Sequence, residues 1–217
     1  MRSLLPLLLS AATLAAWSPK MHETQSVKAL RLIPKPMAAF LRAHQEAFLE
    51  GARGVASYDP PTAEMVLAQY RTVLRLSEEG RPAEDIARDL GVLARLVQAL
   101  HDPSCSQGLD PLRAHFEAYA DQKLPNLLVT NEAFWAHRGD LDPAPRIQAW
   151  MAQKQERNGR LRLAFDFQKG RPNGPWDDLS VPFAQLQLSF SNGIHATANL
   201  WILAWRSCGG SWPIPTA

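Results

Sequence analysis

Apolar residues recur at helical spacing along most of this chain. In residues 91–105, GVLARLVQALHDPSC, the residues Leu93, Leu96, Val97 and Leu100 fall at i, i+3, i+4 and i+7 and form an inward stripe. A first helix is predicted to begin at Pro19, a residue that suits a first helical turn. The same periodicity, interrupted by proline and glycine, predicts further helices over residues 36–52, 62–79, 110–122, 145–157 and 181–206, and a central helix that begins at Pro82. The predicted fold class is all-α, a single-domain multi-helix bundle.

Residues 160–167, RLRLAFDF, are the ambiguous segment, because their first part alternates like a strand. A lone strand has no partner in an otherwise helical chain, so we predict a short helix there. Loops are predicted over residues 54–61 and 170–178, where proline and glycine cluster. Residues 124–145 are predicted to form a loop with a short helix over 132–137.

Composition and charge exclude few functions. The chain has 217 residues, of which 46% are apolar and 20% charged, which is enough to bury the core of one domain. Its formal net charge is +2, and basic residues do not cluster with aromatic ones. Charge therefore gives no specific signal for a nucleic-acid partner.

The N-terminus has the layout of a secretory signal peptide. Arg2 precedes an apolar run from residue 4 to residue 14, and the small residues Ala15 and Ala16 follow it. The run is short for a bilayer-spanning helix, so we expect cleavage and export to the periplasm or the extracellular medium, with an uncleaved hydrophobic anchor as the alternative. Residues 1–16 would then be the signal peptide and residues 17–217 the mature helical domain, with no transmembrane segment left. Leu14 is larger than usual for its position, and cleavage after Ala15 is the alternative.

A second face of the stretch 91–105 carries Gly91, Arg95 and Ala99 at successive i+4 positions. With His101, Pro103 and Cys105 further on, this frame resembles the superfamily of zinc-dependent phospholipases C and single-strand-specific zinc nucleases. Members carry a helix reading roughly G-x-x-x-H-x-x-x-D-x-H-x-P-x-H, in which the first His, the Asp and the last His bind zinc. Here those three ligand positions hold Arg95, Ala99 and Cys105.

Other parts of the chain resemble the same superfamily. Its mature chains begin with Trp, whose amino group and carbonyl bind zinc together with a His at the spacing that Trp17 and His22 have in WSPKMH. The resemblance also implies a metal-bridging role for Asp59, although an Asp before Pro60 is a common turn or cap residue. Glu117 matches the acid of an H-x-x-x-E step.

Further ligand positions of the superfamily are substituted. The His position of that H-x-x-x-E step is held by Arg113, and the predicted helix over residues 62–79 lacks the His that the superfamily places there. Arg113 and Glu117 at i and i+4 are sufficiently explained as an ion pair on a helix surface. The candidate remnant metal site is therefore Trp17, His22, Asp59 and Glu117.

The substitutions change the chemistry that the resemblance implies. Zinc needs N, O or S donors at about 2.0–2.3 Å, which neither a guanidinium nor a methyl group supplies, although Cys105 could coordinate. We therefore expect no resident zinc cluster, with zinc at a reduced site as the alternative. A fixed arginine charge can instead neutralise buried acids and bind an anion bidentately.

The function expected from these residues is that of a secreted, catalytically impaired relative of zinc-dependent phospholipase C. It would be structural or would bind a phosphate-bearing small molecule or phospholipid headgroup. The alternative is an active metal-dependent phosphodiesterase on phospholipid or nucleic acid, with a reduced metal site or with ligands recruited elsewhere. The recruited ligands would come from His101, Asp102, His115 or His137. Other hydrolase and nucleotide-binding motifs are absent from the sequence.

The only two cysteines are Cys105 and Cys208. An even number in an exported chain favours a disulfide, because disulfides persist outside the cytosol. We therefore predict that Cys105, at a former ligand position, pairs with Cys208 and staples the fold.

Overall fold

The fold is all-α apart from one very short strand pair. The computed structural model describes residues 17–54, 60–106, 108–130, 142–210 and 212. A 3₁₀ turn, Leu124–Asn126, follows the sixth helix. In chain order the helices of the described part are α1 Pro19–Ala29, α2 Lys35–Ala43, α3 Gln45–Arg53, α4 Ala63–Glu78, α5 Ala83–Leu100, α6 Asp110–Lys123, α7 Ala144–Arg162 and α8 Val181–Ser207.

Three helices begin at a residue whose side chain caps the first turn. The side chains of Ser18, Thr62 and Ser180 accept hydrogen bonds from main-chain N–H groups in the first turns of α1, α4 and α8. Each bond satisfies a donor that has no partner within the helix. In α5, Glu84 and Asp85 place negative charge in the first turn, where it favours the helix dipole.

Two predicted elements differ from the structure. The helix expected over residues 36–52 is divided at His44, whose φ of −114° and ψ of 36° lie outside the helical region. Neither proline nor glycine occurs at this break, so the sequence has no signal for it.

The short helix expected over residues 160–167 is wrong. Residues 160–162 complete α7, and Phe165–Asp166 form strand β1, which pairs antiparallel with β2, Arg171–Pro172. The strand partner therefore comes from the glycine- and proline-rich segment, which we had expected to be a loop throughout.

Helices α5 and α8 form the centre of the molecule. The 27-residue α8 is buried along most of its length and packs against α1, α4, α5 and α7. Helix α5 packs closely on α3, because Gly51 of α3 faces α5 and Gly91 of α5 faces α3. A Cβ at Gly91 would overlap the carbonyl oxygen of Phe48 and lie 2.8 Å from the nitrogen of Ala52.

The C-terminal end of α5 positions the candidate site. Residue 17 reaches it from the start of α1, α6 covers it from one side, and α7 contributes a buried lysine. None of the helices in the described part of the chain has both the length and the apolar composition needed to span a bilayer.

Candidate functional site

Trp17 is fixed against the end of α5. Its side chain is 1% exposed, and its indole Nε1 donates to the carbonyl oxygen of Gln98 at 3.0 Å. Its main-chain nitrogen donates to Oδ2 of Asp102 at 3.1 Å, and its ring packs on Phe116 with centroids 5.8 Å apart. The structure therefore brings residue 17 to the helix whose frame resembles the zinc-binding helix.

His22 lies one turn further along α1 and is 2% exposed. Its Nδ1 is 2.8 Å from Oε1 of Gln98, whose Nε2 donates to Oγ of Ser26 at 3.0 Å. The side-chain oxygen of Gln98 can only accept a hydrogen bond, so Nδ1 of His22 must carry the proton and Nε2 the lone pair. Nε2 is buried, and no hydrogen-bond partner for it exists among the described residues.

The imidazole of His22 is neutral at physiological pH. Burial lowers its pKa to about 4, the hydrogen bond to Gln98 opposes that change, and the charge of Arg95 adds to it. The ring therefore presents a neutral, buried Nε2 with a lone pair that no described residue engages.

Arg95 lies on α5 at the position that the resemblance assigns to the first zinc ligand. It is half-buried, and its guanidinium lies over Gly54, where a Cβ would be 2.6 Å from Nη1. Burial lowers its pKa, but an arginine stays charged in proteins. In the described part of the chain no carboxylate pairs with it, and its buried Nε has no acceptor. Asp59, the acid expected nearby, lies outside the described residues.

Ala99 and Cys105, at the other two positions that the resemblance assigns to ligands, pack against each other in a small buried cluster. Burial raises the pKa of the Cys105 thiol to about 11, and the nearby charge of Asp102 adds to this effect. A metal ligand must be a thiolate, so a thiol with this pKa is a poor donor. Neither residue replaces what the superfamily's Asp and His supply.

Lys154 of α7 brings a cation into the same region. It is 4% exposed, and its Nζ donates to the carbonyl oxygen of Ala99 at 3.4 Å. With Cys105 it lines a cavity of about 480 Å³, whose other walls are Pro60, Pro61, Thr62, Ser106, Met151 and Gln155. Burial lowers the pKa of Lys154, while the charges of Cys105 and Asp102 oppose that change.

Asp102 and Glu117 are the acids of the described site. Oδ1 of Asp102 accepts from the nitrogen of Ser104 at 2.8 Å and from its Oγ at 2.7 Å, and burial raises the pKa of Asp102. Burial also raises the pKa of Glu117 to about 7, and the charges of Asp102 and Asp121 contribute. Glu117 therefore titrates near neutrality.

Arg113 is buried rather than on a helix surface. It donates to the carbonyl oxygen of Ser106 at 3.3 Å, and its Nη2 is 3.4 Å from Oδ1 of Asp110. The observed ion pair on its own helix is thus with Asp110 at i−3, whereas the sequence suggested Glu117 at i+4. Its charge still acts on Glu117, where it opposes the rise in pKa.

This donor set does not fit a three-zinc cluster. Arg95, Ala99 and Arg113 have no metal-binding atom, Cys105 is held as a thiol, and the nitrogen of Trp17 is engaged by Asp102. Among the described residues, no three His, Cys, Asp or Glu side chains converge to hold a metal ion. Of the candidate remnant ligands Trp17, His22 and Glu117, His22 has a buried nitrogen, Nε2, without a described partner; the Nε2 of His101 is likewise buried and has no described partner.

The alternative ligands are dispersed. His101 is buried against Trp150, and its Nδ1 is 3.4 Å from Nη1 of Arg157. His115 is exposed and contacts the carbonyl oxygen of Gly170. His137 lies outside the described residues. Of the described members of this group, Asp102 is the one that contacts Trp17.

The structure does not contain the predicted disulfide. Cys105 and Cys208 are both free thiols, the first buried beside Ala99 and the second at the end of α8. The pairing therefore stays a prediction.

Gln98 and Lys154 are site residues that sequence reasoning missed. Lys154 lies seven residues after Ile147 and four after Trp150, so all three share one buried stripe of α7. A charged residue within an apolar stripe was the sequence signal for its burial. Gln98 carries no comparable signal, because its role depends on contacts with α1.

Comparison with protein-family models, with curated proteins and with solved structures found no match for this chain. The resemblance to the zinc-dependent superfamily therefore rests on the residues of the chain itself.

Proposed function

We propose that this protein is an exported, non-catalytic relative of the zinc-dependent phospholipases C and nucleases that binds a phosphate-bearing ligand. The observation that carries the proposal is Arg95. Its guanidinium is half-buried and has no carboxylate partner among the described residues, at the position that the resemblance assigns to a zinc ligand. An anionic ligand would supply the opposite charge that the described residues do not provide.

The surroundings of Arg95 support an anion rather than a metal cation. Lys154 contributes a second buried cation beside Ala99, one helical turn along α5. Arg113 adds a third positive charge near Cys105 and Glu117. A metal cation would have to bind against these charges, whereas a phosphate group would be attracted by them.

A ligand that contacted both Arg95 and His22 would have to meet two different requirements. Arg95 can only donate hydrogen bonds, and the neutral Nε2 of His22 can only accept one. A phosphate that carries both an anionic oxygen and a P–OH group satisfies both side chains. A phosphate monoester, such as a free phospholipid headgroup, therefore fits better than a phosphodiester, which has no P–OH.

Calorimetry on the mature protein tests this proposal with three probes: inorganic phosphate, phosphocholine and the diester glycerophosphocholine. We expect the first two to bind and the diester to bind at least about tenfold more weakly. Arg95→Ala should abolish binding of inorganic phosphate, and Arg95→Lys should weaken it, because lysine lacks the bidentate fork. Arg71→Ala, at an exposed arginine of α4, is the matched control and should leave the affinity unchanged. Unchanged affinity in Arg95→Ala would refute the proposal.

A metal-dependent phosphodiesterase is the second candidate, and the free, buried Nε2 of His22 is the observation that favours it. A reduced site could use this nitrogen as a zinc ligand. Metal analysis of the purified protein, with assays against a phosphocholine ester and single-stranded DNA, separates the two functions. Tightly held zinc together with hydrolysis would establish the enzyme and overturn the binding function.

A further inference from the structure

The main-chain nitrogen of Trp17 is held in a fixed position inside the protein. Its indole is fixed by the bond to Gln98 and by the contact with Phe116. The nitrogen itself donates to Oδ2 of Asp102, whose side chain is 2% exposed. A main-chain amide thus supplies one of the hydrogen bonds to a buried carboxylate.

Three acids lie in the region of the Trp17 nitrogen. Beside Asp102, the carboxylate of Asp121 accepts a hydrogen bond from Oγ of Ser18 at 2.6 Å. Glu117 is close enough to both acids for their charges to raise its pKa. Among the described residues Asp102 forms no ion pair, although the charge of Lys154 acts on it and opposes the rise in its pKa. A neutral amide is a weak partner for a buried carboxylate in such surroundings.

We propose that Asp102 is the binding site for the α-ammonium group of a mature chain that begins at Trp17. The proposal rests on the export that is part of the proposed function, and it selects cleavage after Ala16 over cleavage after Ala15. Hydrolysis of the bond between residues 16 and 17 consumes one water, leaving a carboxylate on Ala16 and an amine on Trp17. That amine takes up a proton and becomes an ammonium at the position of the present N–H donor.

The observed geometry suits an ion pair without rearrangement. The nitrogen and Oδ2 are 3.1 Å apart, which is already within ion-pair distance. The new charge would enter a region whose other charged or titratable groups are Cys105, Arg113, Glu117, Asp121, Lys154 and, on α1, His22. The ammonium would thus form an ion pair with Asp102, whereas in the resembled superfamily the amino group of the first Trp binds zinc.

A thermodynamic cycle tests the pairing independently of export and of phosphate binding. Two chains are released from a fusion by a protease that leaves no extra residue, one beginning at Trp17 and one at Ala16. Each is prepared with and without Asp102→Asn, and urea unfolding is measured at neutral pH after metal removal. The Ala16 chain should have an unfolding equilibrium constant at least about tenfold larger than the Trp17 chain, because its ammonium is displaced from Asp102.

The cycle has defined outcomes. In the Asp102→Asn background the advantage of the Trp17 chain should disappear, whereas Glu79→Gln, at an exposed carboxylate, should leave it intact. An advantage that survives Asp102→Asn, or an Ala16 chain as stable as the Trp17 chain, would overturn the proposal. Failure of the Trp17 chain to fold would overturn it as well.

A second measurement needs no variant at Asp102. Brief acetylation of the Trp17 chain at neutral pH, followed by mass spectrometry, compares its α-amine with the exposed amine of Lys20. An unhindered α-amine reacts faster than a lysine at this pH because more of it is unprotonated. A buried, paired ammonium should react at least about tenfold more slowly than Lys20, and faster reaction would contradict the pairing. N-terminal sequencing of exported protein reports separately whether the cut occurs after Ala16.

Discussion

Buried histidines contribute to the loss of stability of this protein at acid pH. Burial lowers the pKa of His101 to about 3, and the charges of Arg157 and Lys154 contribute to the change. In the unfolded chain the same ring has a pKa of about 6.5. The folded protein therefore excludes a proton that the unfolded chain takes up as the pH falls below about 6.5.

Replacing His101 should flatten the acid limb of the stability curve. The pKa of His101 is lower in the folded protein than in the unfolded chain. Its contribution to the free energy of unfolding is therefore fully present above about pH 6.5 and is lost as the pH falls toward 3. In His101→Gln, the slope of the unfolding free energy between pH 6 and pH 4.5 should decrease by up to about 1.4 kcal/mol per pH unit. Urea unfolding at several pH values measures it.

The control for this prediction is His115→Gln, since His115 is exposed. Its slope should match that of the wild type, while the absolute stability of both variants is free to differ. Parallel curves for His101→Gln and the wild type would contradict the assignment of the acid limb to His101.

At the level of single residues, the sequence predicted positions better than roles. Trp17 and His22 both contact Gln98 near the end of α5, and Ala99 packs on Cys105, because α1 packs on α5. That these residues and Arg95 form one site stays a prediction. The bond from Trp17 to Asp102 and the buried ammonium of Lys154 were not predictable. They depend on which helices pack together, and periodicity within one helix does not contain that information.

At the level of elements, the contact between α3 and α5 depends on glycine. Gly91 was read from the sequence as part of the face that carries the former ligand positions. In the structure it instead allows the α5 backbone to approach Phe48 and Ala52. Both obstacles to a Cβ are main-chain atoms of α3, which cannot move aside as a flexible side chain would.

Gly91→Ala should therefore destabilise the protein despite the higher helix propensity of alanine. We expect a loss of roughly 2–4 kcal/mol, because the helices must separate or shift to relieve the overlap. Gly159→Ala is the matched control, as Gly159 is an exposed residue of α7 with no atom within 4 Å of an added Cβ. It should gain about 0.5–1 kcal/mol from propensity alone. Thermal and urea unfolding compare the two, and equal effects would rule out the close approach as the cause.

Helix existence was predictable and helix boundaries were less so. The apolar periodicity of residues 181–206 and of residues 62–79 is long enough to specify α8 and α4 almost to the residue. The break at His44 and the pairing of Phe165 with Pro172 were missed for different reasons. The first has no local breaker, and the second is a two-residue contact between segments too short to show a period.

At the level of the whole molecule, one continuous apolar cluster connects all eight helices of the described part, and Trp212 near the C-terminus belongs to it. Trp212 lies beyond α8 and packs back on α2, with its ring 5.2 Å from that of Phe40. Its Nε1 donates to Oγ of Ser77 near the end of α4 at 3.0 Å. The residue therefore links the end of the chain to two helices that are distant in sequence.

Because the core is continuous, the chain should unfold in a single cooperative transition to which Trp212 contributes. Curves from far-UV circular dichroism and from tryptophan fluorescence should coincide for the wild type. Trp212→Ala should shift both together and cost about 3 kcal/mol, since it removes a large buried side chain and leaves Ser77 without its donor. Leu179→Ala, at a side chain that is 98% exposed, should change stability by less than about 0.5 kcal/mol. Separate transitions for the two probes would mean that the described helices do not unfold as one unit. An effect of Trp212→Ala no larger than that of Leu179→Ala would mean that Trp212 does not stabilise the core.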